Sequence, residues 1–300
     1  MKLKIILFIV IHSCIAFDIP RDNCRHDLKI NEDRFNVSNT YHIGDVYPTD
    51  AHFDVYGNLF YVESGRNEKG FFFNIHVIKF KTATSQKIKG LPEGLSYSIA
   101  VDKKNTKVYF GTSQGIYTYS YETHDATPIT KSDLKLDMIF VDKDSNKYIT
   151  EHNNGVEELY RLDGEKKTRL QTPETLNELA IDDKNNFYYI AQEQLCMLKA
   201  NESKPECITT VKYDGIAQIS VHNDHVFVAS KNLTYFNVNE PNNLRTADNL
   251  PGQLTAIAFD NVGDFVLGVR GKLMKYKKND CNIKGCELRD PSEKSNNCNK

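Results

Sequence analysis

Apolar and polar positions alternate along this chain in a pattern that repeats. Leu136-Asp137-Met138-Ile139-Phe140-Val141 is an apolar run closed by Asp142, followed by the polar turn Lys143-Asp144-Ser145-Asn146. A second run, Lys147-Tyr148-Ile149-Thr150, follows it. Period-two alternation bounded by turn residues predicts strands rather than helices. The same phrase recurs as Ser98–Asp102 before Val108-Tyr109-Phe110, and as Leu179–Asp182 before Phe187–Ile190. It returns as Ile219–His222 before Val226–Val228, and as Ile257–Asp260 before Phe265–Leu267. The closing residues Asp102, Asp142, Asp182, His222 and Asp260 stand 40, 40, 40 and 38 positions apart by subtraction. An earlier copy, His52-Phe53-Asp54 before Leu59–Val62, lies 48 residues ahead of Asp102, and Gly65–Phe73 absorbs the excess as an insertion.

Six copies at about 40 residues match the period of a four-stranded blade. The expectation is an all-β, six-bladed β-propeller over 35–280. Its second copy should have strands Ser98–Val101, Lys107–Gly111, Ile116–Ser120 and Thr127–Thr130. The third should continue with Lys147–Thr150, Glu158–Leu162 and Lys167–Gln171. By the same count Tyr41–Gly44 is an outer strand with no blade in front of it, and the sixth copy lacks a clear fourth strand. An open blade would present unpaired backbone groups. The last blade is therefore expected to be closed by the N-terminal strand.

The ends of the chain read differently. Lys2 and Lys4 precede the apolar run Ile5–Ile11 and the small-residue stretch ending at Ala16, which reads as a signal peptide over 1–16. A polar arm with Cys24 should follow over 17–34, and a Cys-containing tail over 281–300. Removing two lysines takes the formal charge from −2 to −4. No basic stripe is present, so nucleic acid is not expected as a partner. No membrane span is expected either, and the mature chain should act as a secreted monomer. Six cysteines remain after Cys14, an even number that suits disulfides in an exported protein. Cys196 and Cys207 should pair across neighbouring strands, and Cys24 with one of Cys281, Cys286 and Cys298. Sequons at Asn36, Asn201 and Asn232 suggest glycosylation.

Sorting the loops by strand order nominates one face. The turns between first and second strands are short and polar and read as solvated hairpins. The entries to the inner strands (Thr49, Tyr97, Asp137, Asn177, Ala217 and Thr255) lie on the opposite face, beside loops carrying Arg66 and Arg270. Ligand-binding residues are expected there: Tyr97 for stacking, Arg66 and Arg270 for carboxylates, and Asp137, Asn177, Glu178 and Gln218 to orient polar groups. Gly111-Thr112-Ser113-Gln114-Gly115 fits G-x-S-x-G, but a strand rather than a helix follows, so it reads as a hairpin. Asp142-Lys143-Asp144-Ser145-Asn146 resembles a calcium loop but lacks the required Gly and Glu, and reads as a turn.

Two resemblances bear on function. The repeats Ile-Ala-Val-Asp…Val-Tyr-Phe-Gly and Leu-Asp-Met-Ile-Phe-Val-Asp, the Cys24 arm and the Cys-containing tail together resemble the insect ommochrome-binding proteins. That resemblance implies a secreted, blood-borne (hemolymph) carrier that binds a tryptophan-derived phenoxazine pigment non-covalently for transport or storage. It further implies no catalytic residues, and no cofactor apart from the bound ommochrome. The alternative is a lactonase: propeller lactonases of the regucalcin and gluconolactonase group share the six blades. In that group an Asn, an Asp and a Glu at the inner-strand entries hold a divalent metal. Asp137 and Asn177 occupy two such entries here. Ala217 cannot ligate, so the donor set is short of the six to eight oxygens a hard cation takes.

Overall fold

The computed structural model describes residues 26–93, 97–130, 136–153, 155–164, 166–170, 176–200, 202–211 and 217–279. Its strands run Leu28–Ile30 through Lys272–Lys278, and no helix occurs among the described residues. The signal segment, Cys24, Cys281, Cys286, Cys298 and Asn201 lie outside them.

Six antiparallel sheets form among the described residues. The second, Tyr97–Asp102, Lys107–Thr112, Gly115–Tyr119 and Ala126–Pro128, follows the expected copy to within two residues, as does the start of each strand in the third. In the first sheet the excess residues lengthen one hairpin, Leu59–Asn67 against Gly70–Ile78. The sixth sheet holds Ala256–Phe259, Phe265–Val269 and Lys272–Lys278, and its next strand is N-terminal: Asp33–His42 pairs with Lys272–Lys278. A fifth strand, Leu28–Ile30, lies outside it. The described part of the segment expected as an arm forms sheet from Leu28 onward, where Leu28 and Ile30, with Phe35, bury apolar side chains against Tyr235 and Ala247.

Burial explains the repeat. Each apolar cluster is shared by successive sheets. Phe60, Val62 and Ile75 of the first pack on Ile99, Val108 and Phe110 of the second, and Leu59 and Tyr61 pack on Ala256 and Val266 of the sixth. The innermost strands touch their neighbours in the same order, the sixth meeting the first. At roughly 25 cal/mol per Å² of apolar area, such sheet-to-sheet burial is the main stabilising term.

The recurring aspartates are turn clamps. Asp142 accepts the N–H groups of Asp144 and Asn146, the Asn146 amide and the Tyr148 hydroxyl. Asp182 repeats this with Lys184, Asn186 and Tyr188, and Asp54 with Tyr56, Asn58 and Tyr121. The turn needs a left-handed residue three positions on, filled by Gly57 (φ 79°), Ser145 (φ 71°) and Asn185 (φ 63°). A buried carboxylate with every lone pair occupied satisfies the rule for buried polar groups. The Asp142 segment is accordingly a hairpin, as is Gly111–Gly115, where Ser113 sits exposed at a two-residue turn.

Cys196 and Cys207 form a disulfide across directly opposed strand positions, as expected. Asn232 is exposed in a turn, and Asn36 is half-buried on the strand Asp33–His42.

Candidate functional site

Among the described residues each innermost strand has one edge with no strand beyond it, and a backbone N–H on that edge. All six of those donors, three residues before each closing position, find side-chain acceptors. Asp50 accepts from Ile99 at 2.5 Å, and Ser98 from Ile139 at 2.7 Å. Glu178 accepts from Leu179 and Ile219. Gln218 Oε1 accepts from Ile257 and Ala51, both at 3.0 Å, while its Nε2 donates to the Ala51 carbonyl at 2.9 Å. Each acceptor sits one position earlier on an inner strand, where an otherwise apolar run admits a polar residue. Where that position is apolar (Met138, Ala256), a neighbour's acceptor serves two donors. An orphaned buried N–H costs about 1–3 kcal/mol, so this ring of bonds is structural.

Beside it lies a cavity of about 270 Å³. Asp50, His52 and Glu178 reach into it, apolar walls come from Ile99, Phe140, Ile219 and Phe259, and Lys103, Lys104, Lys143 and His222 stand at its rim. The mouth opens among the turns that follow the inner strands. The sequence had placed the site at the opposite ends of those strands. The rim is stiffened by hydrogen bonds from one hairpin to the next: Ser145 Oγ to Asp102, Asn185 Nδ2 to Asp144, and Lys184 Nζ to Asp224. His222, at the one closing position that is not aspartate, stacks on Phe259 with centroids 4.5 Å apart and planes 4° apart. Burial and the nearby Lys103 ammonium hold its imidazole below the usual histidine range, favouring the neutral ring.

Two carboxyl groups enter from different sheets, Asp50 from the first and Glu178 from the fourth. Asp50 Oδ1 is 2.7 Å from His52 Nε2. Asp50 has a backbone φ of 44°. The strand shifts register between Thr49 and His52, which turns Asp50 inward. Glu178 is half-buried and lines the cavity. Desolvation, then the Asp50 charge, push its carboxyl well above the ordinary carboxylate range.

The other nominated residues are dispersed. Arg270 makes two bonds to Asp45 (2.6 and 2.8 Å) and lies over the Tyr47 ring. Arg66 covers the exposed Phe71. Asn177 donates its backbone N–H to Ile190. Asp137 lies near Glu157, whose carboxyl bonds His152 at 2.6 Å. Tyr97 begins the second sheet's inner strand. Of the seven, Glu178 lines the cavity and Gln218 braces the strands around it. Asp50, His52 and the lysines are not among the residues the sequence points to; the lysines lie in turns that read as solvated hairpins.

A shared divalent metal does not fit the donors. Among the described residues no three His, Cys, Asp or Glu side chains are placed to hold one ion. Glu157, which feels the Asp137 charge, is already bonded to His152.

Neither a family model nor a curated protein matches the sequence. Solved structures do match the fold. A gluconolactonase from Xanthomonas campestris aligns with TM-score 0.64 at 12% identity, over 84% of this chain and 91% of that one. A putative gluconolactonase aligns with TM-score 0.59 at 9% identity, over 84% and 94%. A streptogramin B lyase aligns with TM-score 0.54 at 11% identity, over 82% and 98%. At such identities the likeness concerns the fold, and the four-stranded sheets fit a β-propeller. The expectation of a protein without catalytic activity is overturned by these neighbours, which bear the names of enzymes.

Proposed function

We propose that the six sheets are the blades of a closed six-bladed β-propeller, and that the chain is a lactone hydrolase working outside the cell. The observation that carries the reading is the Asp50–His52 hydrogen bond in a cavity that Glu178, its carboxyl pushed well above the ordinary carboxylate range by desolvation, also lines. Glu178, whose carboxyl is pushed up, is placed as the acid, and His52 as the base. Asp50 orients the His52 imidazole, as a carboxylate does in a triad. The free His52 nitrogen takes a proton from water, and the hydroxide attacks the lactone carbonyl carbon. Glu178 donates its proton to the ring oxygen as the C–O bond breaks, giving a hydroxy acid. The proton on His52 then returns to Glu178, closing the cycle. General acid and base each contribute about 10²–10⁴-fold.

The fold neighbours named gluconolactonases support this reading. Its test is lactone hydrolysis by the purified protein, followed as acid release with γ- and δ-lactones. Turnover above background that disappears in His52→Ala, with the circular dichroism spectrum unchanged, is the expected result. Absence of turnover with every lactone would overturn it.

One observation favours a second reading, that the same cavity holds an ommochrome. The parallel Phe259–His222 pair and Phe140 offer flat walls to a flat aromatic ligand. Protein purified from its source would then carry visible absorbance through every column; colourless protein would remove this reading.

A further inference from the structure

The cavity rim divides its charged groups into those already occupied and those left open. Asp142 and Asp182 line the cavity, but each takes four donors from its own hairpin and has no lone pair to offer a ligand. Asp50 is taken by Ile99 and His52. The cations differ. Lys103, Lys104 and Lys143 are exposed at the mouth, and none of them makes a salt bridge among the described residues, where thirteen other pairs form. Lys147, on the same side, is engaged over the Tyr109 ring. All three open ammoniums come from two adjacent hairpins, those of the second and third sheets. The neighbouring hairpins are tied by Asn105 Nδ2 to Ser145 Oγ at 2.8 Å, so the backbone carrying the three is braced.

We infer that Lys103, Lys104 and Lys143 form an anion-recognition rim, and that the molecule entering this cavity is a lactone carrying a carboxylate or comparable anionic group. The inference rests on the hydrolase reading and narrows its substrate class. With the lactone ring between Glu178 and His52, the apolar walls of Ile99, Phe140 and Phe259 take the carbon skeleton. The anionic group points outward, to the ammoniums. Product release follows the same logic: hydrolysis creates a second carboxylate, and the lysines are the open cations along its way out.

A matched pair of substrates tests it. The carboxylate of 5-oxotetrahydrofuran-2-carboxylate replaces the methyl group of γ-valerolactone on the same five-membered ring. The expected result at low salt is a kcat/KM ratio favouring the carboxylated lactone by about tenfold, the scale on which a few exposed charges act. Raising the ionic strength to about 1 M should erase that preference. In the double variant Lys103→Ala/Lys143→Ala the ratio should fall to about one. In Lys231→Ala, an exposed lysine on a distant turn, it should hold. Turnover of both lactones with equal kcat/KM would overturn the rim and leave the hydrolase reading standing. If neither lactone is turned over, the hydrolase reading fails and calorimetric binding decides the rim separately. Tighter binding of 2-naphthoate than of 2-naphthamide, lost in the double variant, supports it, and equal affinities overturn it.

Discussion

The Gln218 side-chain amide holds both backbone polar groups of Ala51, 167 residues earlier in the chain: Oε1 accepts from its N–H at 3.0 Å and Nε2 donates to its carbonyl at 2.9 Å. The same Oε1 accepts from Ile257 at 3.0 Å. One side chain of the fifth sheet therefore joins the first and the sixth, the pair that the two ends of the chain must bring together. Gln218→Ala would orphan two buried N–H groups and a carbonyl at about 1–3 kcal/mol for each. Urea unfolding should register a loss of about 3 kcal/mol or more. A loss below about 1 kcal/mol would mean that water replaces the amide and that the ring is not closed by it.

The closing aspartates give a second stability prediction. Asp182→Ala removes the acceptor of four donors, including the Tyr188 hydroxyl. Tyr188 is completely buried. Losing a buried hydrogen-bonded network ranks among the costly substitutions, about 3–5 kcal/mol. Asp182→Asn keeps one acceptor oxygen and should cost clearly less. Equal losses in the two variants would refute the clamp.

The Cys196–Cys207 disulfide closes a loop with a sequence separation of 11. In the chain-entropy account a loop of that size is worth about 3 kcal/mol. The double variant Cys196→Ser/Cys207→Ser should show that loss in denaturant unfolding while keeping its sheet content, since Cys196 packs in a cluster with Leu198 and Tyr189.

How much of this was legible beforehand follows from what a repeat records. The period records burial between sheets, so strand order, the N-terminal strand of the last sheet and the Cys196–Cys207 pair could be read from residue spacing. Which end of the inner strands holds the cavity is not recorded by the period, because both ends carry polar loops. Asp137 and Asn177 looked like ligands at one end. The cavity instead opens at the other, where Lys103 and Lys143 had looked like ordinary solvated turn residues. Asp50 was hidden for a further reason: a register shift between Thr49 and His52 turns it inward, and a bulge of that kind leaves no mark in alternation. The polar Gln218 suggests a ligand contact in the sequence, and in the structure its amide bonds three backbone groups.

Asp50 and His52 test the base. Asp50→Asn retains an oxygen for the Ile99 N–H but presents the imidazole with a neutral partner and the wrong tautomer preference. Lactone turnover should fall by about 10²–10⁴-fold, with KM little changed, because the pair acts on water rather than on substrate. A rise in KM with kcat intact would reassign Asp50 to binding.

Glu178 carries the last prediction, and its sign can be worked through. Its folded-state carboxyl is pushed up by desolvation and by Asp50, so between the unfolded carboxylate value and the raised one the folded chain holds a proton that the unfolded chain has released. Stability falls with rising pH wherever the folded state binds more protons. The Glu178 contribution is therefore complete below the unfolded value, declines as pH climbs toward the raised one, and is flat beyond it. Glu178→Gln keeps an oxygen for the Leu179 and Ile219 N–H groups and cannot ionise. Measured at matched pH, its stability relative to the parent should rise across that window. Catalysis has the opposite interest in the residue: turnover by the parent should drop as pH passes the raised value and the acid is lost. In Glu178→Gln that limb should vanish along with about 10²-fold or more of kcat. A variant more stable at high pH with its turnover and pH profile unchanged would confine Glu178 to the hydrogen-bond ring and remove the acid from the mechanism.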